Sequence, residues 1–257
     1  MKLKSQYIAL KSILIRETLR FLRIWLQTLL PPAITTGLYF IIFGNLIGSQ
    51  ISNIDGYLYI EYIVPGLILM AVITNSYANV VSSLYISKFH RYIEEVMISP
   101  VPNFIILIGY VGGGVARGVC VGFVVTLVSM LFTNVVILHF WTALTFLVMT
   151  SAIFSMGGFI NGILAKSWDD TSVIPTFVLT PLTYLGGIFY SISMLPEFWQ
   201  NVSLVNPILY MVNAFRYSFL GQSDISIEIA FTVTALFIIF LFLVSARLLN
   251  KGVGLRT

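Results

Sequence analysis

With 257 residues, 58% hydrophobic and only 9% charged, and a mean hydropathy of +0.96, the chain cannot cover itself with a water-soluble surface; soluble domains run at about 45–50% apolar and about 25% charged. One cysteine (Cys120, read as a small packing residue in an apolar run) and two histidines (His90, His139) leave no Cys/His set for zinc or an iron–sulfur cluster. The net charge of +4 suggests nucleic acid in a soluble chain but topology in a membrane chain, so its placement decides.

The first stretch, MKLKSQYIALKSILIRETLRFLR, carries too many internal charges for a cleavable signal peptide. Ile8, Ile15, Leu19 and Leu22 share one helical face, with Arg16, Arg20 and Arg23 in a stripe beside it. Basic side chains can keep their stems in lipid and their heads at phosphates, so residues 1–24 read as an interfacial helix, with a nucleic-acid arm as the lesser reading.

Charge-free runs then mark an all-α integral membrane domain, a single unit over 1–257. Its six-span bundle covers 25–249, with expected spans Trp25–Leu46, Tyr59–Ser82, Phe104–Phe132, Phe140–Ala165, Thr171–Tyr190 and Ser226–Leu249. The run Gly118–Ala165 is 48 residues long and divides at the polar break Thr133-Asn134 into two crossings. Residues 250–257 form a tail. Twelve of the fourteen Lys and Arg fall in Met1–Ile24, Ser83–Asn103, Lys166–Asp170 or Arg247–Thr257. By the positive-inside rule these segments, and both termini, are cytoplasmic. Trp25 and Trp168 at that side, with Trp141 and Trp199 at the other, agree with an aromatic belt.

Ser193–Gly221 is long enough to suggest a seventh span. Gln200, Asn201, Asn206, Pro207 and Asn213 interrupt it, however, and a seventh crossing would place Arg247, Lys251 and Arg256 outside. It reads instead as two short helices broken at Asn206-Pro207, dipping into the outer leaflet as a re-entrant pair.

Four features carry possible function. In Ser87–Pro102, SKFHRYIEEVMISPVP, the residues Phe89, Tyr92, Ile93, Val96 and Met97 fall on one stripe of an expected helix. Lys88, His90, Arg91, Glu94 and Glu95 fill the remainder. At about 12 residues it is too short to span. It is either a helix lying on the membrane or a docking helix whose stripe enters a partner's groove. Gly109, Gly113, Gly114, Gly118 and Gly122 form small-xxx-small patterns, read as close helix packing. Arg117, about 13 residues and roughly 20 Å into the third span, is an intramembrane charge: a substrate or gating contact, or a snorkelling or ion-paired structural one. Pro31, Pro32, Pro65, Pro175 and Pro181 predict kinks. Tyr39, Phe40, Tyr184, Phe189 and Tyr190 place aromatics on the first and fifth spans, candidates for a translocation path. There is no Walker A sequence, and Gly112–Gly118 lacks the GK[ST] ending, so any ATP would be bound by another subunit.

The order of these parts resembles the permease subunit of type-2 ABC exporters, the ABC-2 family. FIIFGNLIG (Phe40–Gly48), YIVPGLILM (Tyr62–Met70), EEVMISPVP (Glu94–Pro102) and GYVGGGVARG (Gly109–Gly118) carry the resemblance. So do Pro175–Gln200 and NPILYMVNAFRY at Asn206–Tyr217, and the likeness is nearest to short, stand-alone bacterial inner-membrane permeases. It implies a homodimer in membrane lipid joined to two ATP-binding cassette subunits. ATP and Mg²⁺ would be held by those partners, with no cofactor or metal on this chain and no nucleic acid as partner. It makes Phe89–Met97, including Glu94 and Glu95, the coupling helix, and settles that stretch towards docking. The first and fifth spans would line the path. Leu195–Tyr217 would form the outer gate, with Pro196, Trp199, Asn206, Pro207 and Arg216 as matched positions. The cargo class would be lipid-like, drug-like or glycolipid.

Two rivals remain. An ion-coupled secondary transporter wants intramembrane carboxylates, and only Glu61 and Glu228, both near outer boundaries, come close. An intramembrane enzyme wants a Ser/His/Asp or metal constellation, and the sequence offers none.

Overall fold

The computed structural model describes residues 3–48, 53–54, 56–252 and 254. Parts of the expected outer loop (49–52 and 55) and of the expected tail (253 and 255–257) lie outside the described residues. The elements are helical, with one isolated bridge pairing Ile54 and Tyr57.

The first helix, α1 (Leu3–Arg23), leads into α2 (Trp25–Thr28) and α3 (Leu30–Tyr39), which continues with π-helical pairing over Phe40–Ile47. Pro31 and Pro32 sit in the first turn of α3, where a missing N–H leaves no helical bond unmade, so the chain bends at Leu29 without breaking. Next come α4 (Tyr59–Phe89), α5 (Tyr92–Ile98), α6 (Asn103–Ser129) and α7 (Phe140–Leu164). A short stretch, α8 (Asp170–Ile174), passes through a π turn at Pro175–Leu179 into α9 (Thr180–Tyr184). Last are α10 (Glu197–Leu204), α11 (Pro207–Leu220) and α12 (Ile227–Lys251).

Among the described residues, five helices are long and apolar enough to cross a membrane: Trp25–Gly44, α4, α6, α7 and α12. The expected fifth span, Thr171–Tyr190, is shorter than its charge-free run. Its helix stops at Tyr184, and Gly187 turns the chain with φ +72°. The expected kink at Pro65 does not end α4, which runs through it for 31 residues.

The centre of the bundle is α4, most of whose residues from Tyr59 to Ser87 are buried, packed between α6 and α7 with α11 on a third side. The glycines of α6 set its two interfaces. A Cβ on Gly109 or Gly113 would meet Ile13 or Glu17 of α1; one on Gly114 or Gly118 would meet Val80, Ser76, Ser151 or Ser155 of α4 and α7. On Gly122 it would lie 2.9 Å from Leu147 and 3.1 Å from Val72. All five therefore sit where side chains of a neighbouring helix press against the α6 backbone.

The same register shows that α1 runs lengthwise beside the first turns of α6. The residues it turns inward are Ile13, Glu17 and Phe21, while Ile8, Ile15, Leu19 and Leu22 are exposed. The apolar stripe read from the sequence thus faces away from the protein, and a second stripe with a carboxylate in it faces the bundle.

Candidate functional site

Side chains that the sequence grouped together divide between the two ends of the bundle. At one end, Lys88 Nζ donates to the carbonyls of Ile163 (2.9 Å) and Ala165 (2.5 Å), and Asn103 Nδ2 donates to Asn250 Oδ1 (2.7 Å). Lys88, Lys166 and Lys251 therefore gather at this basic end. The opposite end is tied by Tyr57 Oη donating to the Leu220 carbonyl (2.5 Å) and by the His139 amide donating to Ser218 (2.9 Å).

The Phe89–Met97 stretch lies at the basic end, but not as one helix. It is cut at Arg91, whose φ of 61° and ψ of 9° reverse the backbone between α4 and α5. Phe89 belongs to the end of α4. The expected stripe is split accordingly: Ile93 is buried, Val96 and Met97 pack against the core cluster that Ile93 shares with Leu84 and Ile106, and Phe89 and Tyr92 are exposed, as is the neighbouring Ile98. Glu94 is half-buried and Glu95 exposed. The stripe failed as a single face because half of it is the core contact of α5. An aromatic chain, Trp168–Tyr85–Phe89–His90–Tyr92, runs across this end, with successive ring centroids 5.3–6.4 Å apart. The adjoining turn is capped by Asp170, whose Oδ2 accepts from the Lys166 and Ser167 amides (2.8 and 2.9 Å). Those two backbone bonds, first among the causes, lower the carboxyl below its ordinary value.

Towards the other end, Tyr39, Tyr184 and Phe189 do come together, with Phe43 added: Phe189 stands 6.1 Å from Tyr39, 6.0 Å from Tyr184 and 5.0 Å from Phe43. Tyr190 joins by donating to the Tyr184 carbonyl (3.2 Å). Phe40 does not belong to this group. It points the other way, fully buried against Phe132 at 5.4 Å.

The expected lid residues form a separate knot. Pro196 precedes α10, which carries an exposed Trp199, and Asn206 caps α11 by accepting from Ile208 N (3.0 Å). Asn206 Nδ2 also donates to the Leu182 carbonyl (2.6 Å), which ties the break before Pro207 to α9. Arg216 is 2% exposed; it donates to the Gly187 carbonyl and lies 4.0 Å above the Tyr62 ring. It holds the turn after α9 against α4, aided by Asp224, which accepts from Ser191 Oγ (2.9 Å) and Ile192 N (3.2 Å).

Arg117 lies apart from both groups, donating to Asn75 Oδ1 (2.8 Å) on α4. Sequence reasoning missed the cluster beneath it. Glu17, 1% exposed, pairs with Arg16 (2.9 Å) and Arg20 (3.4 Å) and accepts from Ser83 Oγ (2.6 Å); Arg20 donates to Asn79 Oδ1 (2.9 Å) and to the Asn79 carbonyl (2.7 Å). The available signal was Glu17 as the sole acid among six basic residues in the first 24. No three His, Cys, Asp or Glu side chains among the described residues could hold a metal ion.

A helical bundle with several membrane-length apolar helices, polar knots between them and an exposed aromatic patch at its basic end is the build of an integral membrane protein. Residues 8–220 match the ABC-2 type transporter family, and the chain belongs to that family. It is similar to the inner membrane transport permease YadH of Escherichia coli K12, 54% identical over 253 residues covering 98% of each chain. More distant likenesses are nodulation protein J of Rhizobium leguminosarum bv. viciae, 22% identical over 81% of each chain, and of Sinorhizobium fredii, 22% identical over 84% of this chain and 82% of that one. The chain is thus an ABC transporter membrane subunit, a transport component and not itself an enzyme.

Proposed function

We propose that the chain works as a homodimer in the bacterial inner membrane, exporting a lipid-like, drug-like or glycolipid cargo with energy from a separate ATP-binding subunit. Permeases of this family generally pair with such a subunit, which here binds ATP and Mg²⁺ and hydrolyses the nucleotide. Residues 1–257 act as one unit with both termini cytoplasmic. The bundle crosses six times, the stretch from Thr171 to Tyr184 making a short fifth crossing beside the first. The α10–α11 pair dips in from the outer face as a gate, with Arg216, Asn206, Pro207, Pro196 and Trp199 at its joints. The cluster of Tyr39, Phe43, Tyr184 and Phe189 lines the outer part of the path. Closure of the ATP-binding subunits pushes α5 and shifts the bundle between two arrangements.

The observation that carries this reading is the reversal at Arg91. It sets α5 off the long central helix and leaves Phe89, Tyr92 and Ile98 exposed beside Glu95, while Ile93, Val96 and Met97 anchor α5 to the core. A push on the exposed side is thereby passed to α4 through packed side chains. The buried carboxylate Glu17 gives little support to the ion-coupled alternative, because two guanidinium groups and a hydroxyl already engage it.

The test is co-purification of the permease with its ATP-binding subunit. Tyr92→Asp together with Ile98→Asp, both exposed, should abolish the complex and leave the permease folded; an intact complex overturns the docking role. Cysteines at Ser49 and Thr257 should label from opposite sides of the membrane, and same-side labelling overturns the topology.

A further inference from the structure

A cavity of about 250 Å³ opens between the bent first span and α4. Tyr39, Leu67 and Met70 line its apolar end, and Gln27, Thr74 and Asn75 its polar end. Asn75 is fixed there, its Nδ2 donating to the Ala71 carbonyl (2.9 Å) and its Oδ1 accepting from Arg117 (2.8 Å). One turn along α4, Asn79 is held by Arg20.

Behind this polar end, on side chains that hold Asn75 and Asn79 rather than on the cavity's own lining, charge is unbalanced. Glu17 is shared by Arg16 and Arg20. Among the described residues, Arg117 has no carboxylate within ion-pair distance, and its buried Nε has no acceptor. Arg16, Arg20 and Arg117 against one carboxylate leave two positive charges in excess. A guanidinium sunk in an apolar bundle without a counter-charge is unfavourable and marks a place where an anion gains.

Depth fits the same ligand. At 1.5 Å per residue, α4 is about 46 Å long against a hydrocarbon core of about 30 Å. With Tyr59 at the outer boundary, the inner boundary falls about 20 residues later, beside Asn79. Arg20, held at Asn79, then sits at the inner boundary, Arg117, held at Asn75, lies about 6 Å further in, and the apolar end of the cavity lies deeper still.

We propose that this cavity receives an anionic amphiphile, its headgroup seated at Asn75 under the charge of Arg117, with Arg20 one turn further along α4, and its chain lying along Leu67, Met70 and Tyr39. As a statement about cargo, this rests on the exporter reading above. The same headgroup chemistry belongs to a resident acidic phospholipid, and the test separates the two.

The full-length permease in nonionic detergent is offered equal amounts of phosphatidylglycerol and phosphatidylcholine, and retained lipid is read by native mass spectrometry. One basic side chain near an anionic headgroup gives a preference of about fivefold for phosphatidylglycerol. Arg117→Gln should bring the ratio to parity and Arg117→Lys should keep most of it. Thr74→Trp, which fills the cavity without changing charge, should reduce retention of both lipids. Equal retention by the unaltered protein, or full preference in both Arg117→Gln and Thr74→Trp, overturns the proposal. In the complex with the ATP-binding subunit, Arg117-dependent stimulation of ATP hydrolysis by phosphatidylglycerol identifies cargo; retention without stimulation identifies a resident lipid. A complex that never forms strikes the exporter reading and leaves the lipid measurement standing.

Discussion

The carboxylate of Glu17 accepts a hydrogen bond of 2.6 Å from the hydroxyl of Ser83, 66 residues away, and so fastens the first helix to the central one. Removing one partner from a fully buried ion pair costs about 3–5 kcal/mol, because the other charge is left uncompensated. Here Arg16 and Arg20 are 44% and 29% exposed, and solvent screens part of the loss. Glu17→Ala should therefore destabilise the chain by about 2–3 kcal/mol. Glu17→Gln, which still accepts from Ser83, should cost less. Thermal unfolding of the purified protein checks the order, and equal midpoints for all three proteins would contradict it.

Two glycines separate backbone contact from side-chain contact. A Cβ on Gly158 of α7 would meet the carbonyl oxygen of Tyr77, backbone that cannot yield without prying α4 from α7. On Gly122 it would meet Leu147 Cδ1 at 2.9 Å, the far end of a flexible side chain. Overpacking typically costs about 1–3 kcal/mol, so Gly158→Ala should fall near the top of that range and Gly122→Ala at or below its foot. The same unfolding measurement ranks them.

The helical membrane class and the chain order of the long helices were legible because each rests on a local signal, charge-free length. The break before Pro207 was legible for the same reason, since Asn-Pro caps and starts a helix. The inward face of α1 was not, because its Ile13, Glu17 and Phe21 stripe competes with an equally periodic stripe that faces out. Nor was the division of Phe89–Met97. Periodicity marks apolar positions without saying which neighbour covers them, and Arg91 carries no sequence signal for a left-handed backbone. Phe40 was misgrouped with Tyr39 for a simpler reason: adjacent residues on a helix point about 100° apart.

Arg91 is the one non-glycine residue with positive φ among those described. A side chain in that region costs about 1–2 kcal/mol, more when branched at Cβ. Arg91→Gly should thus retain or slightly raise stability, while Arg91→Val should lower it and disturb the seating of α5. If α5 passes force to α4, Arg91→Gly should also keep the complex with the ATP-binding subunit, and Arg91→Val should weaken it. Limited proteolysis between His90 and Tyr92 reads the first effect and co-purification the second. A valine variant cut no faster than the parent would remove the strain argument.

Asp170 gives a pH dependence with a definite sign. Backbone amides of Lys166 and Ser167 hold its carboxylate in the charged form, so its folded pKa lies below the ordinary Asp value of about 3.9. A group whose pKa is lowered by folding contributes its stabilisation above the unfolded value and loses it as pH falls through the folded one. The advantage of the parent over Asp170→Ala should therefore be constant from about pH 5 to pH 8 and shrink below about pH 4. Protection of the 166 and 167 amides against hydrogen exchange reads this locally. The side chain is solvent-exposed, so the effect stays within the turn that carries Trp168 and need not reach the midpoint of global unfolding. A difference that grew on acidification would show that the carboxylate is held in its protonated form, and would reverse the assignment of the Asp170 cap.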